Sequence, residues 1–245
     1  MAKDRKTATR RAQILKAAEK IFAEKGFHEA TISEIAKGAG LSEPTIYEYF
    51  PSKEEILFQI PAETSCRLGE LIRFHLQMAK GTASKLRALI YILFWIHQTD
   101  PNYAAVSYLI LRQNSRFINT EAYRTLRENL RPLMDVIKEG IEAGEIKSSF
   151  TPYFIRSVIL GSIEHLTTRK LLMGTEDNLL DYVDSLVELV MGGAGQDNNP
   201  GVLRFNVTVR SDAVQKTPVS EVAQPKRRCP SKSRKRTQTN NNPGG

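Results

Sequence analysis

Residue types that can support catalysis or metal binding occur in this sequence, but their spacing matches no such site. The four histidines, His28, His75, His97 and His165, share no metal-ligand spacing. Neither a GxSxG nucleophile motif nor a phosphate-binding P-loop occurs. The carboxylates are scattered over stretches of helical periodicity, which is typical of solvated helix faces. We therefore expect a protein that is not an enzyme and that holds no metal and no cofactor.

Polar side chains on the short stretch from Leu41 to Phe50 indicate a different chemistry. Ser42 is a suitable helix N-cap, and the Glu43–Pro44 pair suits the first turn that follows. Apolar residues at helical spacing can then point inward, namely Leu41, Ile46 and Phe50, with Tyr49 near the boundary. The outward side carries Glu43, Pro44, Thr45, Tyr47 and Glu48. A helix this short needs bracing by its neighbours.

The brace is a second short helix just upstream, over Thr31–Lys37. Thr31 is placed to cap it and Glu34 to complete a capping box. Gly40 can adopt the positive φ of the tight turn between the two helices. Two helices joined by a short glycine-containing turn are typical of a helix-turn-helix, whose second helix lies in the DNA major groove.

The run from Ile14 to Leu57 resembles the TetR family of transcriptional regulators. Six segments carry the resemblance: Ile14–Ala18, Phe22–Phe27, Thr31–Ala36, Ala39–Ser42, Thr45–Phe50 and Lys53–Leu57. The resemblance implies that Thr31, Tyr47 and Lys53 contact phosphates and that Pro44 and Thr45 face bases. The full predicted DNA-binding set is Thr31, Ser33, Ser42, Glu43, Pro44, Thr45, Tyr47, Tyr49 and Lys53.

Glu43 departs from the lysine or glutamine that is often found at this position of the family. An acidic side chain can accept a hydrogen bond from a cytosine amino group, but phosphates repel it. The role of Glu43 therefore stays open. A purely structural helical hairpin is the alternative interpretation of the head.

Aromatic and polar residues mix along the middle of the chain, where each one alone is compatible with core packing. As a group they can line an apolar cavity with a few polar anchors, the usual design of a small-molecule site. The group is Phe74, His75, Met78, Phe94, Trp95, His97, Tyr103, Tyr108, Arg112, Gln113, Phe117, Tyr123, Phe154, His165 and Arg169. From it we predict an effector site formed by Phe94, Trp95, Tyr108, Arg112, Gln113 and Phe117. Arg112, if buried, would need a partner, which a ligand carboxylate or phosphate can supply.

A second resemblance covers residues 105–190 and points to the TetR regulators of fatty-acid degradation. It rests on Leu111–Asn114, Ile118–Asn119, Ile137–Ile141, Gly144–Lys147 and Leu160–Glu164. Regulators of that kind bind long-chain acyl-CoA and release DNA. The resemblance therefore implies a small hydrophobic effector, with acyl-CoA favoured over a hydrophobic drug.

No part of residues 1–192 alternates with period two, so we predict an all-α fold. The expected helices span 9–25, 31–37, 43–50, 53–80 with a break at Pro61, 83–99, 102–113, 120–143, 149–173 and 176–191. The resemblance implies that the last two form a dimer interface. An apolar stripe for that interface is formed by Leu179, Leu180, Val183, Leu186, Val187 and Val190.

Nearly all of the excess positive charge lies at the end of the chain. Lys+Arg minus Asp+Glu is 10 − 9 = +1 for residues 1–60, 15 − 15 = 0 for 61–191 and 10 − 3 = +7 for 192–245. Within the head, Lys3, Arg5, Lys6, Arg10 and Arg11 are predicted to form a basic arm before the first helix. Beyond Gly192 the chain turns polar, with a weakly alternating stretch at 202–210 and a basic tract at 226–236.

The absence of a signal peptide, of a long apolar run and of paired cysteines predicts a cytoplasmic protein without disulfides. We predict three regions: a helix-turn-helix DNA-binding domain (1–52), a ligand-binding and dimerisation domain (53–192) and a disordered basic tail (193–245). The predicted function is that of a homodimeric, ligand-responsive repressor that binds a double-stranded DNA operator. The predicted targets are fatty-acid metabolism genes, and the predicted inducer is acyl-CoA. The alternative is a non-sensing DNA-binding or architectural protein whose basic tail dominates its affinity.

Overall fold

The computed structural model describes residues 2–194, with side chains described for residues 7–193. Within that range the chain is helical and contains no strand, which confirms the all-α prediction. The alternating stretch at 202–210, the basic tract at 226–236 and nearly all of the predicted tail lie outside the described residues. No helix in the described part is long and apolar enough to span a bilayer.

Three helices form the head: α1 (Ala2–Glu29), α2 (Ile32–Ala39) and α3 (Glu43–Tyr49). The capping box of α2 is present, since Thr31 Oγ1 accepts from the Glu34 backbone N–H at 3.2 Å and Glu34 Oε2 accepts from the Thr31 N–H at 3.1 Å. Gly40 closes α2 with φ of 66°, a left-handed conformation that glycine adopts without strain. The predicted helix-turn-helix is thus confirmed in its local geometry.

The first helix differs from its prediction at its start. It begins at Ala2 rather than Thr9, so the basic residues from Lys3 to Arg11 belong to the helix and do not form an arm before it. Gly26 interrupts the helical geometry with φ of 77° and ψ of 170°, which matches the predicted stop. Arg10 and Arg11 are half-buried.

The body consists of α4 (Lys53–Met78), α5 (Thr82–Thr99), α6 (Pro101–Ala105), α7 (Glu121–Asn129), α8 (Arg131–Glu142), α9 (Pro152–Met173) and α10 (Tyr182–Ala194). Helix α5 lies at its centre and contacts α4, α6, α8, α9 and α10. Between α6 and α7 the chain forms a π-helical turn at Val106–Ile110 and 3₁₀ turns at Leu111–Gln113 and Phe117–Asn119. We call this irregular stretch, residues 106–119, the wall segment. The predicted continuous helix over 102–113 was wrong there.

Two prolines act differently from the predictions. Pro61 does not break α4, because it is buried among packed neighbours whose burial offsets the missing hydrogen bond. The predicted single helix over 120–143 was wrong, since Leu130 with φ of −93° and ψ of 0° separates α7 from α8. Pro132 then lies in the first turn of α8, where it lacks no intrahelical bond.

The apolar stripe near the end of the chain packs inside its own subunit. Leu179, Val183, Leu186 and Val190 are at most 5% exposed and belong to the body core. The assignment of these four residues to a dimer interface was therefore wrong, whereas Leu180 and Val187 are half-buried and pack against the same core. Helical periodicity identifies an apolar face but does not identify what covers it. The large apolar side chains that α9 and α10 do expose are Tyr153, Phe154, Leu172, Met173 and Leu189.

Replacing Ser52 with alanine is expected to lower the free energy of unfolding by about 1 kcal/mol. Ser52 Oγ accepts from the Glu55 N–H at 3.1 Å and caps α4, the helix that joins head and body. Urea unfolding followed by circular dichroism measures the change. Ser84→Ala, at an exposed position of the first turn of α5, is the matched control and should be neutral or slightly stabilising. Equal losses in both variants would contradict the capping role.

Candidate DNA interface and effector cavity

The third helix presents the polar side that the sequence predicted. Ile46 and Phe50 are at most 1% exposed and anchor α3 in the head core, whereas Tyr47 is 54% exposed. Ser42 caps the helix through the Thr45 N–H and also shares a hydrogen bond with Thr45 Oγ1 at 2.9 Å. Of the other predicted DNA-binding residues, Thr31, Ser33, Glu43 and Pro44 are exposed and Tyr49 is half-buried. Thr31 and Ser42 are the N-caps of α2 and α3, and Thr45 is half-buried.

Lys53 also holds the corner of the head together. Its Nζ donates to the carbonyl oxygens of Ala30 at 2.7 Å and His28 at 3.2 Å, and lies 4.7 Å from the centre of the Phe27 ring. An ammonium group has three N–H donors, so one remains for a phosphate. This bracing role was not predicted, because its partners lie 25 and 23 positions away along the chain.

Arg11 is a second brace that sequence reasoning missed. Its guanidinium donates to Gln59 Oε1 at 2.8 Å and lies 4.5 Å from the centre of the Phe50 ring. It therefore links α1 and α4 across the end of α3. A basic residue near the start of a DNA-binding head is easily interpreted as a phosphate contact. In the structure, Arg11 instead contacts Gln59 and Phe50 within the protein.

An apolar cavity of about 520 Å³ lies in the body between α4, α5, α7, α9 and the wall segment. This volume falls in the range of small-molecule sites, roughly 300–1,000 Å³. Its apolar lining includes Leu68, Leu93, Ile96, Leu111, Phe117, Leu126, Leu160 and Ile163. Charged groups at the cavity are Arg112, Arg127, Arg156 and Glu164. Three of these four are cationic, which suits a ligand with an apolar body and an anionic end.

The structure brings together half of the predicted effector residues. Tyr108, Arg112 and Phe117 line the cavity, whereas Phe94, Trp95 and Gln113 do not. Phe94 is fully buried in the body core and Trp95 is 37% exposed on the outer side of α5. From the larger aromatic and polar group, the residues that also line the cavity are His97, Tyr103 and Tyr123.

Arg112 is not buried, so it does not need a ligand as its partner. The side chain is 61% exposed and forms an ion pair with Glu164 of α9, whose side chain is 22% exposed. Arg112 lies in the short 3₁₀ turn that follows the π-helical turn. Glu164 was part of a sequence motif, but its pairing was not predicted.

Three ring-bearing side chains fill one part of the cavity wall. The His97 ring stacks on Tyr103 with centroids 5.7 Å apart and an angle of 5°, and lies 4.9 Å from the Tyr108 ring. Burial raises the pKa of Tyr103 to about 12 and lowers the pKa of His97 to about 4. Burial also raises the pKa of Tyr108, with smaller effects from Tyr103 and Glu164. All three are therefore neutral at neutral pH.

The cavity wall is attached directly to the head. Phe117 packs against Phe58 with ring centroids 5.6 Å apart, and both belong to the same hydrophobic cluster as Ile46 of α3. Glu54 in the first turn of α4 accepts from Asn114 Nδ2 at 3.2 Å and pairs with Arg116 Nη1 at 3.1 Å. A displacement of the wall segment therefore acts on the start of α4, which three residues separate from the end of α3.

A further contact joins α1 to the same region. Lys16 Nζ lies 2.7 Å from Asp100 Oδ2, the residue that caps α6, and also pairs with the buried Glu19. Burial raises the pKa of the Glu19 carboxyl, and the contact with Lys16 opposes the shift. The head thus contacts the cavity wall from both α1 and α4.

Comparison with known proteins agrees with this architecture. Residues 14–60 match the family of bacterial regulatory proteins described as the tetR family, and residues 64–193 match the C-terminal region of YsiA-like protein. The fatty acid metabolism regulator protein of Bacillus subtilis (strain 168) is 32% identical over 181 residues, covering 74% of this chain and 93% of the relative. The two family matches together span the head and the body.

Two solved structures share the fold over nearly their whole length. The fatty acid degradation regulator FadR from Bacillus halodurans superimposes with a TM-score of 0.70 at 30% identity, covering 75% of this chain and 95% of that one. FadR from Bacillus subtilis in complex with stearoyl-CoA gives a TM-score of 0.66 at 32% identity, covering 74% and 98%. This chain therefore belongs to the TetR family of bacterial transcription regulators, which bind DNA operators as dimers through a helix-turn-helix head.

Proposed function

We propose that this protein is a cytoplasmic, homodimeric repressor of fatty-acid metabolism genes and that long-chain acyl-CoA releases it from its operator. The observation that carries the proposal is the apolar cavity of about 520 Å³ with arginines at its edge. An acyl chain suits the apolar lining, and the phosphates of CoA suit Arg112, Arg127 and Arg156. A relative of known structure holds stearoyl-CoA, which supports the same ligand class here.

The proposed operator-binding surface is the outward side of α2 and α3 in each of two subunits. The exposed hydroxyl of Tyr47 and the cap residues Thr31 and Ser42 are suited to phosphates, and Pro44 with Thr45 to base edges. Two heads of a dimer read half-sites whose centres are roughly 34 Å apart or a multiple of it. A small change in the separation of the heads therefore lowers operator affinity.

Ligand entry acts on that separation through the wall segment. An acyl chain beside Phe117 displaces a residue that packs on Phe58, while Glu54 ties the same segment to the start of α4. The ligand shifts the equilibrium only as far as it binds the two states unequally. A tenfold loss of operator affinity requires about 1.4 kcal/mol of coupling.

An anisotropy titration of labelled operator DNA tests the proposal with acyl-CoAs of increasing chain length. We expect no release of the operator by free CoA or short acyl-CoAs. With an acyl chain of roughly sixteen carbons or more, we expect about a tenfold loss of operator affinity, because burial of the chain contributes about 0.8 kcal/mol per methylene. If no chain length releases the operator, the sensing function is wrong and the alternative of a non-sensing DNA-binding protein is favoured.

Tyr47→Ala separates DNA binding from sensing in the same experiment. Its side chain is exposed on α3 and remote from the residues that line the cavity. The variant should bind acyl-CoA like the wild type, while its operator affinity falls. The slope of log operator affinity against log salt concentration should decrease by roughly one unit, which corresponds to one lost phosphate contact.

A further inference from the structure

Gly161 lies inside α9, at a position where the packing of the subunit does not require glycine. Glycine in a helix interior is less stable than alanine, so it needs a reason such as a close contact or an unusual backbone. At Gly140 an added Cβ would lie 2.6 Å from Thr82 Cγ2, which explains that glycine. At Gly161 an added Cβ would have no atom within 4 Å, and φ is not positive. Neither reason therefore applies to Gly161.

Gly161 borders the opening of the effector cavity. It lines the cavity and is exposed to solvent. The other exposed lining residues on α9 and the wall segment are Ser157, Arg112 and Ile118. Phe117, which lines the interior, is buried. We call these four exposed residues the mouth of the cavity, which opens between α9 and the wall segment.

One face of α9 forms a side of this mouth. Ser157, Gly161 and Glu164 all line the cavity, and their spacing of four and three residues places them on the same face of the helix. Ser157 Oγ donates to the Tyr153 carbonyl oxygen at 2.8 Å, which holds this small side chain against its own helix. Glu164 pairs with Arg112 and connects α9 to the wall segment. Between the two, Gly161 leaves the α9 side of the mouth without a side chain.

The proposed ligand has to extend through the mouth. The interior, about 520 Å³ with a mostly apolar lining, suits an acyl chain. The CoA head group carries charged phosphates, whose burial in an apolar interior is costly. The chain therefore lies inside, the phosphates lie outside, and the linker between them crosses the mouth. A side chain at position 161 would occupy part of that path.

We propose that Gly161 is a specificity-determining residue of the effector site, because its missing side chain leaves room for the linker between the acyl chain and the CoA head group. The ligand class that needs this opening combines a long apolar chain with a bulky polar head that stays in solvent. This inference rests on the proposed acyl-CoA function and adds to it the residue that admits such a ligand.

Graded substitutions at position 161 test the proposal. Isothermal titration calorimetry measures the dissociation constant for stearoyl-CoA with the full-length wild type, Gly161→Ala and Gly161→Leu. We expect a loss of affinity of about threefold for alanine and about tenfold or more for leucine, because a larger side chain crowds the linker more. Both variants should unfold at the same or a higher temperature than the wild type, since alanine and leucine favour the helix. A purely structural role would not lower affinity while stability rises.

Gly192 provides the matched control. It lies in α10, it is exposed, and an added Cβ would likewise have no atom within 4 Å, but it does not line the cavity. Gly192→Ala and Gly192→Leu should leave the dissociation constant for stearoyl-CoA unchanged. Operator affinity without ligand should equal that of the wild type in all four variants, since neither position lies in the head.

Three results would overturn the proposal, and each assigns Gly161 differently. If Gly161→Leu binds stearoyl-CoA as tightly as the wild type, the linker does not cross α9 at this residue. If the variants sediment as monomers where the wild type is a dimer, the glycine is needed for the contact between subunits. If they bind stearoyl-CoA normally but no longer release the operator, the glycine is a hinge in α9. A wild type that does not bind stearoyl-CoA would instead refute the proposed function, and with it the ligand that this inference requires.

Discussion

Replacing Phe94 with alanine is expected to lower the free energy of unfolding by about 3–5 kcal/mol. Phe94 is fully buried on α5, the helix that every other long helix of the body contacts, and its ring packs in the body core. Removing it leaves a void that the surrounding helices cannot fill without shifting. Urea unfolding at fixed protein concentration measures the loss, because the stability of a dimer depends on concentration.

Trp95→Ala is the matched control, since it removes a larger aromatic ring from the next position of the same helix. Trp95 is 37% exposed, so its truncation leaves less of a void and should cost less than half as much. If Phe94→Ala keeps its stability but changes acyl-CoA affinity, Phe94 belongs to the ligand site and its assignment to the core is wrong.

The contrast between Phe94 and Tyr108 shows where sequence reasoning reaches its limit. Both are aromatic residues in an apolar stretch, and both were predicted to contact the effector. Phe94 lies in the regular helix α5 and faces the packed core, whereas Tyr108 lies in the π-helical turn at Val106–Ile110 and lines the cavity. Nothing in the periodicity of the sequence indicates that turn.

Features that depend on neighbours three or four residues apart were predicted well. The capping box at Thr31 and Glu34, the left-handed Gly40 and the Ser42 cap are local, and residue type alone determines most of their conformation. The inward and outward sides of α3 follow from the same local periodicity. Ion pairs and hydrogen bonds between distant segments were not predicted, because a charged residue has many candidate partners in the chain.

The apolar stripe of α10 illustrates a related limit. Its periodicity correctly indicated a buried face, but the partner was taken to be a second subunit rather than α5 of the same chain. Hydrophobic patterning measures how much surface must be covered and carries no information on which surface covers it. The outward apolar residues of α9 and α10, such as Phe154 and Leu189, become the candidates for the dimer interface.

Glu164 is expected to reduce the affinity for acyl-CoA by occupying the arginine that the ligand needs. The carboxylate pairs with Arg112 at the edge of the cavity. In the proposed acyl-CoA complex it also repels the phosphates of CoA. Glu164→Gln should therefore bind acyl-CoA more tightly than the wild type, and Arg112→Ala more weakly. The dissociation constants of the two variants for acyl-CoA should differ by about a hundredfold at low salt.

The expected size follows from the geometry of the charges. Two unit charges 4 Å apart interact by roughly 1 kcal/mol in water and about 4 kcal/mol near a protein surface. A tenfold change in acyl-CoA affinity for each variant corresponds to about 1.4 kcal/mol, which lies within that range. Folding should be unaffected, since an ion pair with an arginine that is 61% exposed contributes little to stability.

Salt dependence and a matched pair distinguish this explanation from a structural one. The difference between the variants should shrink as salt rises from 0.1 M to 1 M, because the screening length falls from about 10 Å to about 3 Å. Asp177→Asn frees Arg169, at the far end of α9, from a similar pair that does not line the cavity. That variant should leave acyl-CoA affinity unchanged. If Glu164→Gln weakens acyl-CoA binding instead, the carboxylate supports the cavity or contacts the ligand. In that case CoA does not compete with Glu164 for Arg112.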